Sequence, residues 1–123
     1  MILGTPDTKP GEYNQASHGG KGRYFVRTLL DKVPGSSFKY VRDIILYPGS
    51  SIGEHPHSGD DEVYFIISGT GIMVVDEEEC VVGPGSAILT QSGSRHGLRN
   101  EGTEDLRVFV ACASTIFEVS EQH

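Results

Sequence analysis

Short apolar runs separated by glycine and proline are the feature that most constrains how this chain folds. Its 123 residues include 16 glycines and 6 prolines, which recur at short intervals. The runs between them are rich in Val, Ile, Phe and Tyr, the residue types that favour strands. No window of useful length combines apolar residues at a spacing of about 3.6 with good helix formers and freedom from Gly and Pro. The pattern therefore predicts a nearly all-β protein.

The strand-like runs predict one β domain preceded by an arm. Many short strands with regular turn signals are typical of a sandwich or a barrel, and composition does not choose between the two. A chain of 123 residues has room for one core. We interpret residues 1–22, which hold Pro6, Pro10 and a glycine-rich stretch, as a polar N-terminal arm, mobile or docked on a neighbour, ahead of a domain over residues 23–123. The predicted strands are residues 24–30, 38–47, 62–67, 71–75, 80–82, 87–90, 96–99 and 106–113, with a short final one at 116–119.

Charge and composition narrow the partners and the location. The net charge of −7 would repel phosphate backbones and anionic lipid, so we expect neither nucleic acid nor a membrane as partner. The longest apolar runs are too short to span a bilayer and the N-terminus does not resemble a signal peptide, which predicts a cytoplasmic protein. Cys80 and Cys112 form no CxxC pair and lie within or beside strand-like runs, so we predict two buried, reduced thiols.

Two of the five histidines stand close together, as His55 and His57 on either side of a proline. Alternate side chains of an extended strand share one face, so both imidazoles project the same way, with Cα atoms about 6.5 to 7 Å apart. A turn then leads to Glu62 at the head of an apolar run, and period two places Tyr64 on the same face as this carboxylate. A buried carboxylate is costly unless a cation or a donor compensates it. A metal ion is the simplest compensation.

The spacing around these residues resembles the first sequence motif of the cupin superfamily. Five residues separate Gly49 from His55, one separates His55 from His57, four separate His57 from Glu62, and six separate Glu62 from Gly69. This spacing reproduces the family pattern position for position.

A second cupin motif is expected downstream and is found there. Gly85, Gln91, Gly93, His96 and Asn100 match its spacing, although the family pattern has proline at the position of Gln91. Proline would restrict φ at this position and glutamine does not, so the difference affects only the turn before His96. The resemblance implies a double-stranded β-helix, the jelly-roll barrel of cupins. It also implies four metal ligands, which are His55, His57, Glu62 and His96.

The ligand set of three imidazoles and one carboxylate suits a single divalent transition metal, Mn, Fe, Ni, Zn, Co or Cu, better than Ca or Mg. An octahedral ion with four protein ligands has two positions open for a chelating substrate, whereas a tetrahedral zinc would be closed. The resemblance implies a small-molecule metalloenzyme of dioxygenase, isomerase, lyase or decarboxylase type. The alternatives are a non-catalytic sensor or carrier that binds metal and a small ligand, and a purely structural ion.

Two further residues are weaker candidates for a catalytic role. Tyr64 either packs in the core or lines a substrate cavity. Arg42 alternates with Tyr40 and Ile44 on a predicted strand, so its guanidinium would reach a substrate carboxylate if that face points inward and would form a surface salt bridge if it does not. The sequence assigns no general base.

Residues near the motifs are expected to have structural roles. Asp60 and Asp61 lie in the turn before the motif carboxylate, where they either support a ligand histidine or simply form the turn, and the turn role is favoured. His18 in the arm and His123 at the last position are expected to be exposed and not to ligate. Single-domain cupins commonly pair, so the resemblance implies a homodimer, formed through the arm and the apolar outer face of residues 62–67.

Overall fold

The apolar runs of the sequence pair into two antiparallel sheets in the computed structural model, which describes residues 1–116. The strands are β1 (Glu12–Gln15), β2 (Arg23–Leu30), β3 (Phe38–Leu46), β4 (Ser51–Pro56), β5 (Asp60–Ser68), β6 (Gly71–Val75), β7 (Glu78–Val82), β8 (Ala87–Thr90), β9 (Arg95–Arg99) and β10 (Leu106–Ser114). Eight of them coincide with predicted runs, which confirms the all-β prediction. The predicted strand at 116–119, apart from its first residue, and His123 lie outside the described residues.

One core fills the space between a larger sheet, ordered β1-β2-β3-β10-β5-β8, and a smaller sheet, ordered β4-β9-β6-β7. Strand β10 lies between β3 and β5, so strands distant in sequence become neighbours. The fully buried side chains come from both sheets, with Leu46 and Ile66 from the larger and Met73 and Leu98 from the smaller. Burial of one such side chain stabilises the fold by about 1.5 to 3 kcal/mol. This arrangement is the jelly-roll barrel that the resemblance implies.

Strand β5 alternates between the two faces of the larger sheet, as predicted. Glu62, Tyr64 and Ile66 point inward and are only 3%, 3% and 0% exposed. Phe65 points outward and is 42% exposed, beside Phe109 of β10 at 37%. The described residues of the chain therefore leave the outer face of the sheet open at Phe65 and Phe109.

The two cysteines differ in environment. Cys112 on β10 is fully buried, as predicted, whereas Cys80 on β7 is exposed, and both are free thiols. Strand β7 is the edge of the smaller sheet, and most of its side chains face solvent. The prediction of two buried thiols is therefore wrong for Cys80, because an apolar run on an edge strand does not require burial.

The N-terminal residues contribute a strand and a turn. Strand β1 pairs antiparallel with β2, placing Glu12 opposite Val26 and Gln15 opposite Arg23. A short 3-10 turn, Ser17–Gly19, then leads to β2. The polar sequence of β1 lacks the apolar alternation that would have predicted a strand.

No helix in residues 1–116 has the length and apolar character needed to cross a membrane.

Candidate metal centre

Both sheets contribute to a cluster of the four motif residues. Strand β4, which the sequence pattern misses because a glycine and a proline interrupt it, pairs with β9 so that His55 lies opposite His96. His57 directly follows β4, and Glu62 reaches the same place from β5 of the larger sheet. Each residue offers a nitrogen or a carboxylate oxygen, and these atoms lie within 4.8 Å of one another. We call these four residues the His–Glu cluster.

Three donor atoms of the His–Glu cluster form a nearly equilateral triangle. The distance is 3.0 Å from His57 Nε2 to Glu62 Oε1, from His96 Nε2 to the same oxygen, and between the two nitrogens. Donor atoms of one coordination sphere, each about 2.1 Å from an ion, lie about 3.0 to 3.4 Å apart. The three atoms are therefore close enough to share one ion.

The other ring nitrogen of each cluster histidine has its own partner. The pairs are His55 Nδ1 with the Gly53 carbonyl at 2.8 Å, His57 Nδ1 with Asp60 Oδ1 at 2.6 Å, and His96 Nδ1 with Thr90 Oγ1 at 2.7 Å. A carbonyl and a carboxylate only accept, so both rings carry a proton on Nδ1, and in the neutral form of each ring the lone pair lies on Nε2. The Thr90 hydroxyl both donates and accepts, so His96 can carry its proton on either nitrogen. These partners orient the rings as metal ligands require.

Burial and hydrogen bonds set the charge of the His–Glu cluster. Burial by itself raises the pKa of the Glu62 carboxyl, but hydrogen bonds from His96 and Tyr40 outweigh it and hold that pKa below its usual value. Burial lowers the pKa of His55 to about 4, although the bond to Gly53 opposes the shift. At neutral pH the cluster therefore combines an ionised carboxylate with a neutral imidazole, which are the protonation states that metal binding needs.

Asp60 holds the ring of His57 in place. Its Oδ1 accepts the hydrogen bond from His57, and its Oδ2 pairs with Lys39 Nζ at 2.6 Å. Burial raises the pKa of Asp60, but the bonds from Lys39 and His57 outweigh this effect and lower the pKa overall. The turn role favoured for Asp60 is therefore wrong, because its side chain orients a cluster histidine. The Asp61 carboxylate instead accepts a hydrogen bond from the Ser92 backbone N–H at 2.9 Å, in the turn between β8 and β9.

Tyr40, to which the sequence pattern assigns no role, contacts the His–Glu cluster directly. Its hydroxyl donates a hydrogen bond to Glu62 Oε2, the oxygen that is not part of the donor triangle. Burial, followed by the charge of Glu62, raises the pKa of Tyr40, so the hydroxyl keeps its proton. The alternation of Tyr40 with Arg42 along β3 was the available sequence signal, but it could not show which face points inward.

Arg42 faces the interior of the barrel. It lies opposite Val110, which is 2% exposed, and its Nε donates to Thr28 Oγ1 at 3.2 Å. The guanidinium carbon lies 3.7 Å from the centre of the Tyr40 ring. Arg42 takes part in none of the ion pairs found within residues 1–116. Its charge is therefore available to an anionic ligand.

A cavity of about 220 Å³ adjoins the His–Glu cluster. Besides three cluster residues, its walls include Tyr40, Arg42, Tyr64 and His18. Tyr64 is buried, with its ring centre 4.8 Å from that of His96, and burial raises its pKa. Pockets that bind drug-sized ligands have volumes of about 300 to 1,000 Å³, so this cavity is smaller than they are. The space beside the cluster therefore suits a small ligand.

Comparisons with known proteins agree with this geometry. The family model described as "Cupin domain" matches residues 42–112. The "Oxalate-binding protein" of Thermotoga maritima is 34% identical over 107 residues, which cover 86% of this chain and 88% of that protein.

Solved structures share the fold. A predicted oxalate decarboxylase from Thermotoga maritima superposes with a TM-score of 0.86 at 28% identity, covering 93% of this chain and 99% of that one. The cupin domain of Schizosaccharomyces pombe Cnp3 superposes with a TM-score of 0.70 at 16% identity, over 84% of this chain and 68% of that one, and shows likeness of fold alone. The two sequence motifs, the barrel fold and the match to the family model all agree. This chain belongs to the cupin family.

Proposed function

We propose that the chain binds one divalent transition-metal ion through the His–Glu cluster, and that a small dicarboxylate of the oxalate class chelates this ion as substrate of a decarboxylase-type reaction. The donor triangle carries the proposal, because an ionised oxygen and two ring nitrogens 3.0 Å apart converge on a position that suits a cation. When bound, a divalent ion supplies Lewis acidity that withdraws charge from chelated oxygens.

Arg42 supports an anionic ligand. Its guanidinium faces the cavity and is held by the Tyr40 ring and by Thr28. Guanidinium groups bind carboxylates through paired hydrogen bonds. A dicarboxylate would therefore meet two cations in this cavity, the ion held by the cluster and the guanidinium of Arg42.

The oxalate class is supported by size and by likeness. A cavity of about 220 Å³ suits a compact ligand better than a large one. A protein that is 34% identical over most of both chains is described as oxalate-binding. Oxalate is therefore the first ligand to test.

The hydroxyl groups of the cavity support a reaction that consumes a proton. When a dicarboxylate loses CO2, the carbon–carbon bond breaks and the carbon that keeps the electron pair takes up a proton. Tyr40 and Tyr64 both line the cavity, so a phenolic O–H group lies beside the space that the ligand would occupy. We assign Tyr40 the role of proton donor, with its proton replaced from solvent after each turnover.

A non-catalytic carrier or sensor is the second candidate. The raised pKa of Tyr40 makes release of its proton difficult, which favours binding without turnover. The name of the Thermotoga maritima relative, oxalate-binding protein, also refers to binding. In both candidates the ion and the dicarboxylate occupy the same site.

Binding and turnover separate the two candidates. We would load the protein with Mn²⁺ or Co²⁺, measure oxalate binding by calorimetry, and follow formate and CO2 formation. We expect metal-dependent binding with product formation, absent in Glu62→Gln and retained in the matched surface variant Glu78→Gln. Binding without product would support the carrier or sensor. Failure of the loaded protein to bind oxalate would reject both.

We also infer that two copies pair through the outer face of the larger sheet. Phe65 and Phe109 lie opposite each other there, and Leu89, opposite Val63, is 56% exposed. Contiguous exposed apolar side chains of this kind mark interaction surfaces, and a two-fold pair would cover the same patch on both copies.

The exposed free thiol of Cys80 suits a reducing compartment, in line with the cytoplasmic location expected from the sequence.

A further inference from the structure

His18 lies in the N-terminal 3-10 turn, far from both motifs in sequence, yet it reaches the His–Glu cluster. Its ring stacks on that of His55 with centres 3.9 Å apart and planes inclined by 17°. Its side chain is exposed on one side and lines the ligand cavity on the other. The expectation that His18 is exposed is confirmed, but exposure does not separate it from the site.

Close backbone packing holds the turn against strand β4. A Cβ atom on Gly53 would lie 2.0 Å from the His18 carbonyl oxygen, and one on Gly20 would lie 2.3 Å from the Ser51 carbonyl oxygen. Glycine is therefore required at both positions for the two segments to approach this closely. Hydrogen bonds of 2.8 Å join the backbone N–H and side chain of Ser51 to the C=O and N–H of Lys21. The position of the turn is thus specified by several contacts.

The backbone of the turn is also strained. Ala16 and His18 have φ values of 48° and 53°, in the left-handed region that residues with a Cβ rarely adopt. Strained residues persist where the surrounding structure imposes them, and they concentrate at functional sites. This conformation is the one that brings the His18 ring over His55.

The stacking geometry separates His18 from the metal donors. The lone pair of an imidazole nitrogen lies in the ring plane, so an ion bound by His55 would lie close to the plane of the His55 ring. The nearly parallel ring of His18 directs its own lone pair past that ion. His18 accordingly lies outside the group of four residues whose donor atoms converge. His18 instead borders the cavity that a ligand of the ion would occupy.

Building on the proposed function, we propose that His18 is a ligand-positioning residue that hydrogen-bonds the bound dicarboxylate and limits its length. His18 from the turn and Arg42 from β3 both line the cavity of about 220 Å³, so a compact dicarboxylate bound there would contact both side chains. A longer homologue would have to displace the His18 ring from its stack on His55.

Calorimetry on the Mn²⁺-loaded full-length protein tests this role with oxalate, malonate and succinate. His18→Ala should weaken oxalate binding about tenfold, as expected for the loss of one hydrogen bond, and should reduce the preference for oxalate over succinate. His18→Phe keeps a ring in the stack without a nitrogen, so it should weaken oxalate binding to a similar extent while keeping the preference. Gln15→Ala, an exposed substitution on β1 outside the cavity, is the matched control and should match wild type.

The affinity for Mn²⁺ itself, measured without ligand, distinguishes positioning from ligation. We expect it to be unchanged in both His18 variants. Unchanged oxalate binding by His18→Ala would overturn the positioning role while leaving the proposed function intact. A loss of Mn²⁺ affinity in His18→Ala would overturn it in favour of ligation. If the loaded wild-type protein bound none of the three dicarboxylates, the proposed function and the role of His18 would both fall.

Discussion

Replacing Asp60 with asparagine isolates the effect of one carboxylate charge on metal binding. The asparagine side chain is not charged, but its amide oxygen can still accept the hydrogen bond that His57 Nδ1 gives to Asp60 at 2.6 Å. A hydrogen bond to a charged group contributes about 1.5 to 3 kcal/mol and a neutral one about 0.5 to 1.5 kcal/mol. The difference of about 1 to 1.5 kcal/mol corresponds to metal affinity about 5- to 13-fold weaker in Asp60→Asn. Asp60→Ala removes the acceptor and should cost about 10- to 100-fold.

The neighbouring residue provides a matched control for this prediction. Asp61→Asn makes the same chemical change one position away, where the carboxylate bonds the Ser92 backbone and does not contact a cluster histidine. Dissociation constants for Co²⁺ and Zn²⁺ would be measured by competition with a fluorescent chelator. Lys39 loses its partner in Asp60→Asn, but its side chain is 42% exposed, so water replaces the ion pair at little cost. Equal metal affinity of the wild type, Asp60→Asn and Asp61→Asn would refute the reasoning.

Three further predictions concern the ligand, the surface and pH. Arg42→Gln should weaken oxalate binding to the Mn²⁺-loaded protein about 10- to 100-fold, because a charged hydrogen-bond partner is lost, and should leave the Mn²⁺ affinity unchanged. Calorimetry measures both affinities, and an oxalate affinity equal to that of the wild type would contradict the prediction. Phe65→Glu should yield monomers in light scattering where the wild type forms dimers, and a monomeric wild type would remove the proposed interface. The folded-state pKa of Asp60 is depressed, so its contribution to stability is complete above its unfolded pKa of about 3.9 and is lost as pH falls through the folded value. Denaturant unfolding of chelator-treated protein should show that the free energy of unfolding falls less in Asp60→Asn than in wild type over that pH range.

Eight of the ten strands described and the four cluster residues were predictable because their signals are local. Period two over a few residues placed Glu62 and Tyr64 on one face of β5, and burial of both confirms it. The motif spacings are likewise short, so the resemblance brought His96 together with His55 although they lie on different strands. Cys80 was misjudged because the apolar run of β7 does not reveal that this strand is an edge.

The partners of the cluster could not be predicted, because they depend on which strands become neighbours. Tyr40 is 22 positions from Glu62 in sequence, and the two meet because β10 lies between β3 and β5. The inward direction of Arg42 follows from the same pairing. The stack of His18 on His55 depends on two glycines and a left-handed turn, which no periodicity reveals.

The metal content of the purified protein tests the central claim most directly. Untagged protein prepared without chelator or metal-affinity resin would be examined by elemental analysis, together with His57→Ala. The wild type should carry close to one transition-metal ion per chain, or take one up when Mn²⁺, Fe²⁺, Co²⁺, Ni²⁺, Cu²⁺ or Zn²⁺ is added, and His57→Ala should not. A wild-type protein that contains no such metal and rebinds none of these ions would contradict the assignment of the His–Glu cluster as a metal site.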